Sequence, residues 1–202
     1  MTPLLQPDPG GKERALHKAA MPESLLVPIA AESVGAIKEH VGQKVEQLSG
    51  TRFENALLVY AECGPASSNL KIWKHPNADV LNPKRQLWVK PKYGGYRRAY
   101  RLAFPGADIS GKVIHHIMNR RYAVLHGFDY VRVLPISRSN NSSSGFSENW
   151  GVELTRDGTL KSRKGVERIG YADLVHLMSM LDMPIGGGVM ENVRVATELL
   201  KP

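Results

Sequence analysis

Two adjacent histidines carry the side chains best suited to chemistry in this chain. His115 and His116 close a short apolar run that is typical of a β-strand, and Asn141 follows His116 by 25 residues. A neutral imidazole can bind a divalent metal ion or accept a proton from water, and an amide oxygen is a suitable ligand for a hard cation. Because neighbouring strand residues point to opposite faces, both rings can reach one site only if the strand ends at the pair.

The charge of the chain favours a phosphate-rich partner. Its 202 residues include 27 Lys and Arg against 19 Asp and Glu, a formal net charge of +8. A basic balance of this size attracts nucleic acid or an anionic membrane surface. No apolar run approaches the roughly 18 residues that span a bilayer. We therefore expect a nucleic-acid partner, no membrane association and a cytoplasmic location, in which the single Cys63 stays reduced.

A basic and aromatic stretch offers a surface for phosphates and bases. Cations neutralise phosphates and tyrosine rings stack on bases, although a solvated helix face with partly buried tyrosines explains the same pattern. In a helix, Arg97 and Arg101 would lie one turn apart and bridge neighbouring phosphates. A second cluster, Lys161, Arg163, Lys164 and Arg168, could extend this surface. The predicted nucleic-acid-binding residues are Lys90, Lys92, Tyr96, Arg97, Arg98, Arg101 and Arg121.

Hydrophobic spacing predicts the elements that must position these side chains. Apolar residues at three- and four-residue steps predict an amphipathic helix over residues 30–48, namely Val34, Ile37, Val41, Val45 and Leu48. Strands are predicted at 56–61, 86–89, 112–117 and 130–136, and helices at 96–104, 119–126, 172–181 and near 190–200.

The rest of the chain is less regular. Residues 137–145 are either disordered or the start of a helix, and residues 152–161 suggest a β-hairpin. Residues 1–27 are rich in proline, glycine and charge, and we expect them to form a flexible arm. Residues 28–202 are expected to fold as a single small α+β domain.

The order of these features resembles the His-Me finger nucleases, also called ββα-metal, HNH-type or endonuclease VII-like. In that family a strand ending in Asp-His or His-His is followed by a loop, a second strand and a helix that begins with an Asn or His ligand. The resemblance covers about residues 108–148. It implies a ββα-metal-like centre at about 108–150, flanked by the N-terminal amphipathic helix and the C-terminal helices.

The resemblance also implies a role for each matching residue. His116 would be the general base, and Arg120 or Arg121 would hold the scissile phosphate, with His116 and Arg120 as the catalytic residues. The chain has no Asp before the base and no closing His ligand, so Glu148 would supply the carboxylate. The implied metal is Mg²⁺ or Mn²⁺, with Zn²⁺ as a further option. Its implied ligands are His115, Asn141 or the neighbouring Asn140, and Glu148.

The sequence therefore predicts a metal-dependent endonuclease that hydrolyses phosphodiester bonds, with DNA expected in preference to RNA. Two other classes of function stay open. A degenerate finger would bind nucleic acid without cutting it, since the carboxylate beside the base is missing. A structural or assembly protein would use its proline-rich arm and terminal helices for protein contacts. The oligomeric state is not predicted.

Overall fold

The computed structural model describes residues 27–48, 54–61, 78–141, 168–172 and 174–183, and positions 191, 194, 195 and 198. Within these residues, antiparallel strands form one sheet covered by short helices, so the mixed α and β class predicted from the sequence is confirmed. The strands are β1 (Pro28–Ala31), β2 (Lys44–Gln47), β3 (Ala56–Tyr60), β4 (Arg85–Val89), β5 (Lys112–His116), β6 (Tyr130–Ser137) and β7 (Ile169–Tyr171). The helices are α1 (Val34–His40), α2 (Ala78–Leu81), α3 (Tyr96–Ala103), α4 (Arg120–Leu125) and α5 (Leu174–Met180).

Strand β6 lies at the centre of the sheet. The strand order is β2-β3-β4-β6-β1-β7, and β5 also pairs with β6. The first residues of β6 pair with β1, where Val131 lies opposite Ala30, and its later residues pair with β5, where Ser137 lies opposite Lys112. Residues 131–133 of β6 pair with β4 as well. The position of β5 is therefore fixed through β6.

The helix predicted over residues 30–48 is wrong in its extent. The segment contains β1, α1 and β2, and the helix covers only Val34–His40. Its first turn is capped by Ser33, whose hydroxyl accepts a hydrogen bond from the backbone N–H of Ala36 at 3.0 Å. Strand β1 is buried at all four positions because β6 and β7 flank it. The apolar residues that extended the predicted helix beyond Val41 belong to β2 and its end, where Val45 and Leu48 continue the three- and four-residue spacing by chance.

The other predicted elements agree with the structure within one or two residues. Residues 138–141 are helical, which favours the helix start over disorder for this part of the 137–145 segment. Positions 191, 194, 195 and 198 are helical, in line with the predicted last helix. The predicted hairpin at 152–161 and residues 1–26 of the predicted arm lie outside the described residues, while Val27 is buried in the core.

Arg168 does not extend the basic surface as the sequence suggested. Its side chain is buried, its Nε donates to Glu32 Oε2 at 2.8 Å, and its Nη2 donates to the carbonyl of His126 at 2.8 Å. The guanidinium also lies over the ring of Phe128. Arg168 thus ties the start of β7 to the β1–α1 connection and to the end of α4. Lys161, Arg163 and Lys164 fall outside the described residues.

The core contains two clusters that share the sheet. The larger cluster includes Ile114 of β5, Val133 of β6 and Tyr122 of α4, and it supports the end of β5. The smaller cluster surrounds Trp88 and includes Ile37 of α1. None of the helices in the described part of the chain has the length and apolar character required to cross a bilayer.

Three glycines allow backbone strain and side-chain crowding to be separated. Gly111 and Gly127 have φ of 68° and 72°, a region that disfavours a Cβ. A Cβ at Gly127 would lie 3.1 Å from Nη2 of Arg168, whereas one at Gly111 or Gly94 would meet nothing within 4 Å. We expect Gly111→Ala to lower the free energy of unfolding by about 1 kcal/mol through the backbone alone. Gly127→Ala should cost more because the Arg168 guanidinium must also shift.

Chemical denaturation of the three variants measures these differences. Gly94→Ala is the control and should leave the free energy of unfolding nearly unchanged. Equal losses for Gly111→Ala and Gly127→Ala would show that the position of Arg168 is not constrained by its bonds to Glu32 and His126.

Candidate functional site

The two histidines line one cavity of about 260 Å³. Both are buried, with 7% and 8% of their surfaces exposed, and β5 ends at the pair as the argument from strand geometry required. The cavity lies where the end of β5 meets the first residue of α3, the start of α4 and the helical turn at 138–141. Its lining residues are Tyr96, Ile114, His115, His116, Asn119, Arg120, Arg121 and Asn141.

The pairing of β5 with β6 places His115 within reach of the residues that follow β6. His115 lies opposite Leu134 in the ladder, and Ser137 lies opposite Lys112 at the far end of β5. The helical turn at 138–141 therefore runs back along β5 toward the histidines. At its end, Oδ1 of Asn141 lies 3.0 Å from Nδ1 of His115. An amide oxygen only accepts hydrogen bonds, so this contact requires the proton of His115 on Nδ1.

The two neighbouring asparagines have different partners. Asn140 is buried, and its Nδ2 donates to the carbonyl of Ser179 and to Oδ1 of Asp182, both at 3.3 Å. The same carboxylate oxygen accepts a hydrogen bond from the backbone N–H of Ser137 at 2.9 Å. Asn140 thus anchors the helical turn to the end of α5, and Asn141 is the residue that faces the cavity.

His116 lies beside an aromatic ring and a cation. The ring of Tyr96 meets it edge-on, with centroids 4.5 Å apart and an angle of 69° between the planes. Nε2 of His116 is buried and forms no hydrogen bond to the part of the chain that the structure describes. Burial lowers the pKa of His116 to about 3, and the charges of Arg120 and His115 act in the same direction. The imidazole is therefore neutral at physiological pH and able to accept a proton.

Two exposed arginines stand at the cavity. Arg120 and Arg121 are the first residues of α4, and Asn119 caps this helix through Oδ1, which accepts from the backbone N–H of Arg121 at 2.8 Å and of Tyr122 at 3.3 Å. Guanidinium groups bind phosphate oxygens through charge-assisted hydrogen bonds. The cap thus holds a pair of cationic side chains next to the histidines.

The other predicted nucleic-acid-binding residues do not line the cavity. Arg97, Arg98 and Arg101 are exposed on α3, whose opposite face buries Ala99 and Tyr100. Nη1 of Arg97 donates to the carbonyl of Lys112 at the start of β5 at 3.1 Å, so the basic face of α3 begins next to the histidine strand. Lys92 is exposed, and Lys90 lies 5.7 Å from the ring centroid of Tyr130.

Sequence reasoning did not assign two features of the cavity. Tyr96 was expected on a nucleic-acid surface, but its ring contacts His116. Asn119 received no role, although an asparagine before a helical pattern is a recognised cap signal. The contact of Tyr96 with His116 cannot be read from spacing, because α3 and β5 meet only in the folded chain, whereas the cap is local and its position before the helical pattern could have identified it.

The donors available for a metal ion are few. The described residues contain no group of three or more His, Cys, Asp or Glu side chains that could bind one, and Glu148 lies outside them. The 3.0 Å between Nδ1 of His115 and Oδ1 of Asn141 fits neighbouring ligands of an octahedral ion, which lie about 3.0 Å apart when each bond is about 2.1 Å. This pair is compatible with an ion whose remaining ligands come from water or phosphate.

Comparison with known protein families, with curated proteins and with solved structures finds no match to this chain. A functional assignment must therefore be argued from the side chains of the cavity and their surroundings.

The low pKa of His116 predicts how stability depends on pH. The unfolded chain binds a proton at His116 near pH 6.5, whereas the folded chain does so only near pH 3. Between these values the unfolded state binds more protons, so the free energy of unfolding falls as the pH falls, by about 1.4 kcal/mol per pH unit for this residue.

Denaturation of the wild type and of His116→Gln between pH 7 and pH 4 measures this contribution. The variant should show a smaller slope, since glutamine does not titrate. His126, whose pKa burial also lowers, contributes equally to both proteins. Parallel curves would mean that His116 titrates normally in the folded chain.

Proposed function

We propose that this chain is a metal-dependent nuclease of the His-Me finger type, which hydrolyses phosphodiester bonds in the cavity of His116. The observation that carries the proposal is the 3.0 Å contact of His115 with Asn141, next to a neutral His116. In this proposal β5, β6 and the helical turn at 138–141 form the ββα-metal centre, and α4 occupies the connection between the two strands.

His115 and Asn141 would hold the metal ion, with Glu148 as a further ligand. Mg²⁺ and Mn²⁺ suit the oxygen ligand and bound water, and Zn²⁺ suits the imidazole. When bound, a divalent ion stabilises the negative charge that builds up on the phosphate oxygens during hydrolysis. Because Nδ1 of His115 carries a proton in its contact with Asn141, binding of the ion at Nδ1 would require the other tautomer, with the proton on Nε2.

His116 would act on the attacking water. The water oxygen forms a bond to phosphorus while its proton passes to the imidazole, and the bond from phosphorus to the leaving oxygen breaks, with a solvent proton completing the alcohol. Nε2 of His116 is enclosed, which leaves Nδ1 to accept the proton. A phosphate bound to Arg120 would offset the charge that helps to hold the pKa of His116 low, so the base becomes stronger when substrate is present.

The basic face of α3 would hold the nucleic acid on one side of the cavity. Arg97, Arg98 and Arg101 project to solvent there, with Lys90 and Lys92 ahead of the helix. Such cations neutralise backbone phosphates without reading bases, so binding should weaken steeply with salt. The resemblance to nucleases that cut DNA makes DNA the first substrate to test, ahead of RNA.

A second candidate function is nucleic-acid binding without cleavage. It is favoured by the donor set, since His115 and Asn141 supply one nitrogen and one oxygen and the described residues add no carboxylate to them. A binding module would show the salt-dependent affinity and no cut product with any divalent ion. Absence of affinity for DNA and RNA at low salt would instead favour a structural or assembly protein.

Removal of the base tests the nuclease proposal. Plasmid DNA and a single-stranded RNA are incubated with the full chain and Mg²⁺, Mn²⁺ or Zn²⁺. We expect His116→Ala to lower the cleavage rate by at least about a hundredfold, the usual size of a general-base contribution. His40→Ala is the control, since His40 lies on α1 and does not line the cavity. Full metal-dependent activity in His116→Ala would contradict the proposal.

The asparagine pair separates metal binding from folding. In Asn141→Ala we expect the Mn²⁺ concentration for half-maximal cleavage to rise about tenfold or more, because a ligand is lost, with little change in stability. In Asn140→Ala that concentration should stay the same, while the free energy of unfolding falls by about 1–2 kcal/mol because the bonds to Ser179 and Asp182 are lost. A rise in the Mn²⁺ concentration for Asn140→Ala and none for Asn141→Ala would instead identify Asn140 as the metal ligand.

A further inference from the structure

The cavity contains a neutral donor that the proposed roles do not use. Asn119 lines it between the histidines and the two arginines in the sequence. Its Oδ1 accepts two backbone N–H groups, those of Arg121 and Tyr122. Only the amide oxygen can accept them, so these two bonds fix the orientation of the amide.

This cap fixes where the NH₂ group points. With Oδ1 bound to the first turn of α4, the cap leaves the NH₂ group unused, and the hydrogen bonds among the described residues include none from Nδ2. The backbone N–H groups of Arg121 and Tyr122 already donate to Oδ1. The donor that this end of the helix can still provide is therefore the NH₂ group of Asn119. Because the cap already holds the side chain in place, the amide does not have to reorganise when a ligand binds. Polar groups that are preorganised in this way are the most effective in a binding site.

We propose that the side-chain amide of Asn119 binds a non-bridging oxygen of the substrate phosphate, together with Arg120 and Arg121. The inference rests on the proposed function, because it assigns a further substrate-binding residue to the same cavity. A phosphodiester has two non-bridging oxygens and carries one negative charge. The arginines neutralise that charge. A rigid neutral donor orients the phosphate and adds no positive charge that would repel a protonated His116.

The N-cap allows the donor to be removed while the helix is preserved. Aspartate and serine cap helices about as well as asparagine does, so Asn119→Ser and Asn119→Asp should keep the melting temperature of the wild type. Serine removes the amide donor and adds no charge. Aspartate replaces the donor by a carboxylate that repels phosphate. Asn119→Ala removes both cap and donor, and should also lower the melting temperature.

Binding of a fluorescein-labelled DNA oligonucleotide to the full chain in EDTA measures the effect without cleavage. We expect Asn119→Ser to weaken binding about tenfold, the usual loss for one hydrogen bond to a charged group. Asn119→Asp should weaken it further, and its extra loss should shrink as salt is raised. The ratio between serine and wild type should not depend on salt, since no charge differs.

The outcomes separate the two proposals. If the wild type binds DNA and Asn119→Ser binds equally well, Asn119 is only a helix cap and this inference is overturned, while the nuclease proposal stands. A loss in Asn119→Asp alone is an effect of charge and overturns it as well. If the wild type binds neither DNA nor RNA, the proposed function fails and the assignment of Asn119 fails with it.

Discussion

The antiparallel pairing of β5 with β6 is the constraint on which the cavity depends. It places His115 opposite Leu134 and His116 opposite Val133. A slip of one residue would exchange the faces of the two histidines and turn His115 away from Asn141. Strand β6 is held on its other edge by β4 and at its start by β1, so this register is set by three neighbours. The backbone hydrogen bonds of the sheet thus determine where the two imidazoles lie, although the imidazoles themselves form none of those bonds.

The fold could be predicted from the sequence where one element matches one pattern. Strands β3 and β6 are apolar runs bounded by turn residues. Helix α3 carries Ala99, Tyr100 and Ala103 on one face and arginines on the other. The prediction failed over residues 30–48, where the apolar residues of a seven-residue helix and of the edge strand β2 together imitate one long helical spacing. Periodicity measures where apolar side chains fall along the chain, and it cannot tell one continuous helix face from the faces of two successive elements.

The site could be predicted only as far as chain order determines it. In an antiparallel pair the segment that follows the second strand begins beside the start of the first strand, where Ser137 lies opposite Lys112. A single helical turn that runs back along β5 is then enough to bring Asn141 to His115. The choice between Asn140 and Asn141 could not be made, because it is decided by contacts of Asn140 with residues of α5 and its end, far away in sequence. The contact between Tyr96 and His116 depends on how α3 packs on β5, which no local pattern encodes.

The described side chains around the cavity are cationic or neutral. Arg120 and Arg121 face it, His116 is neutral, and the lining residues within the described part of the chain include no carboxylate. Burial of a protonated His116 beside Arg120 would place two cations together in a poorly solvated space, which is why its pKa falls. In the proposed reaction, a phosphate bound to Arg120 would reduce that penalty and make proton transfer to the imidazole more favourable. The proposed base would therefore gain strength from the same anion on which it acts.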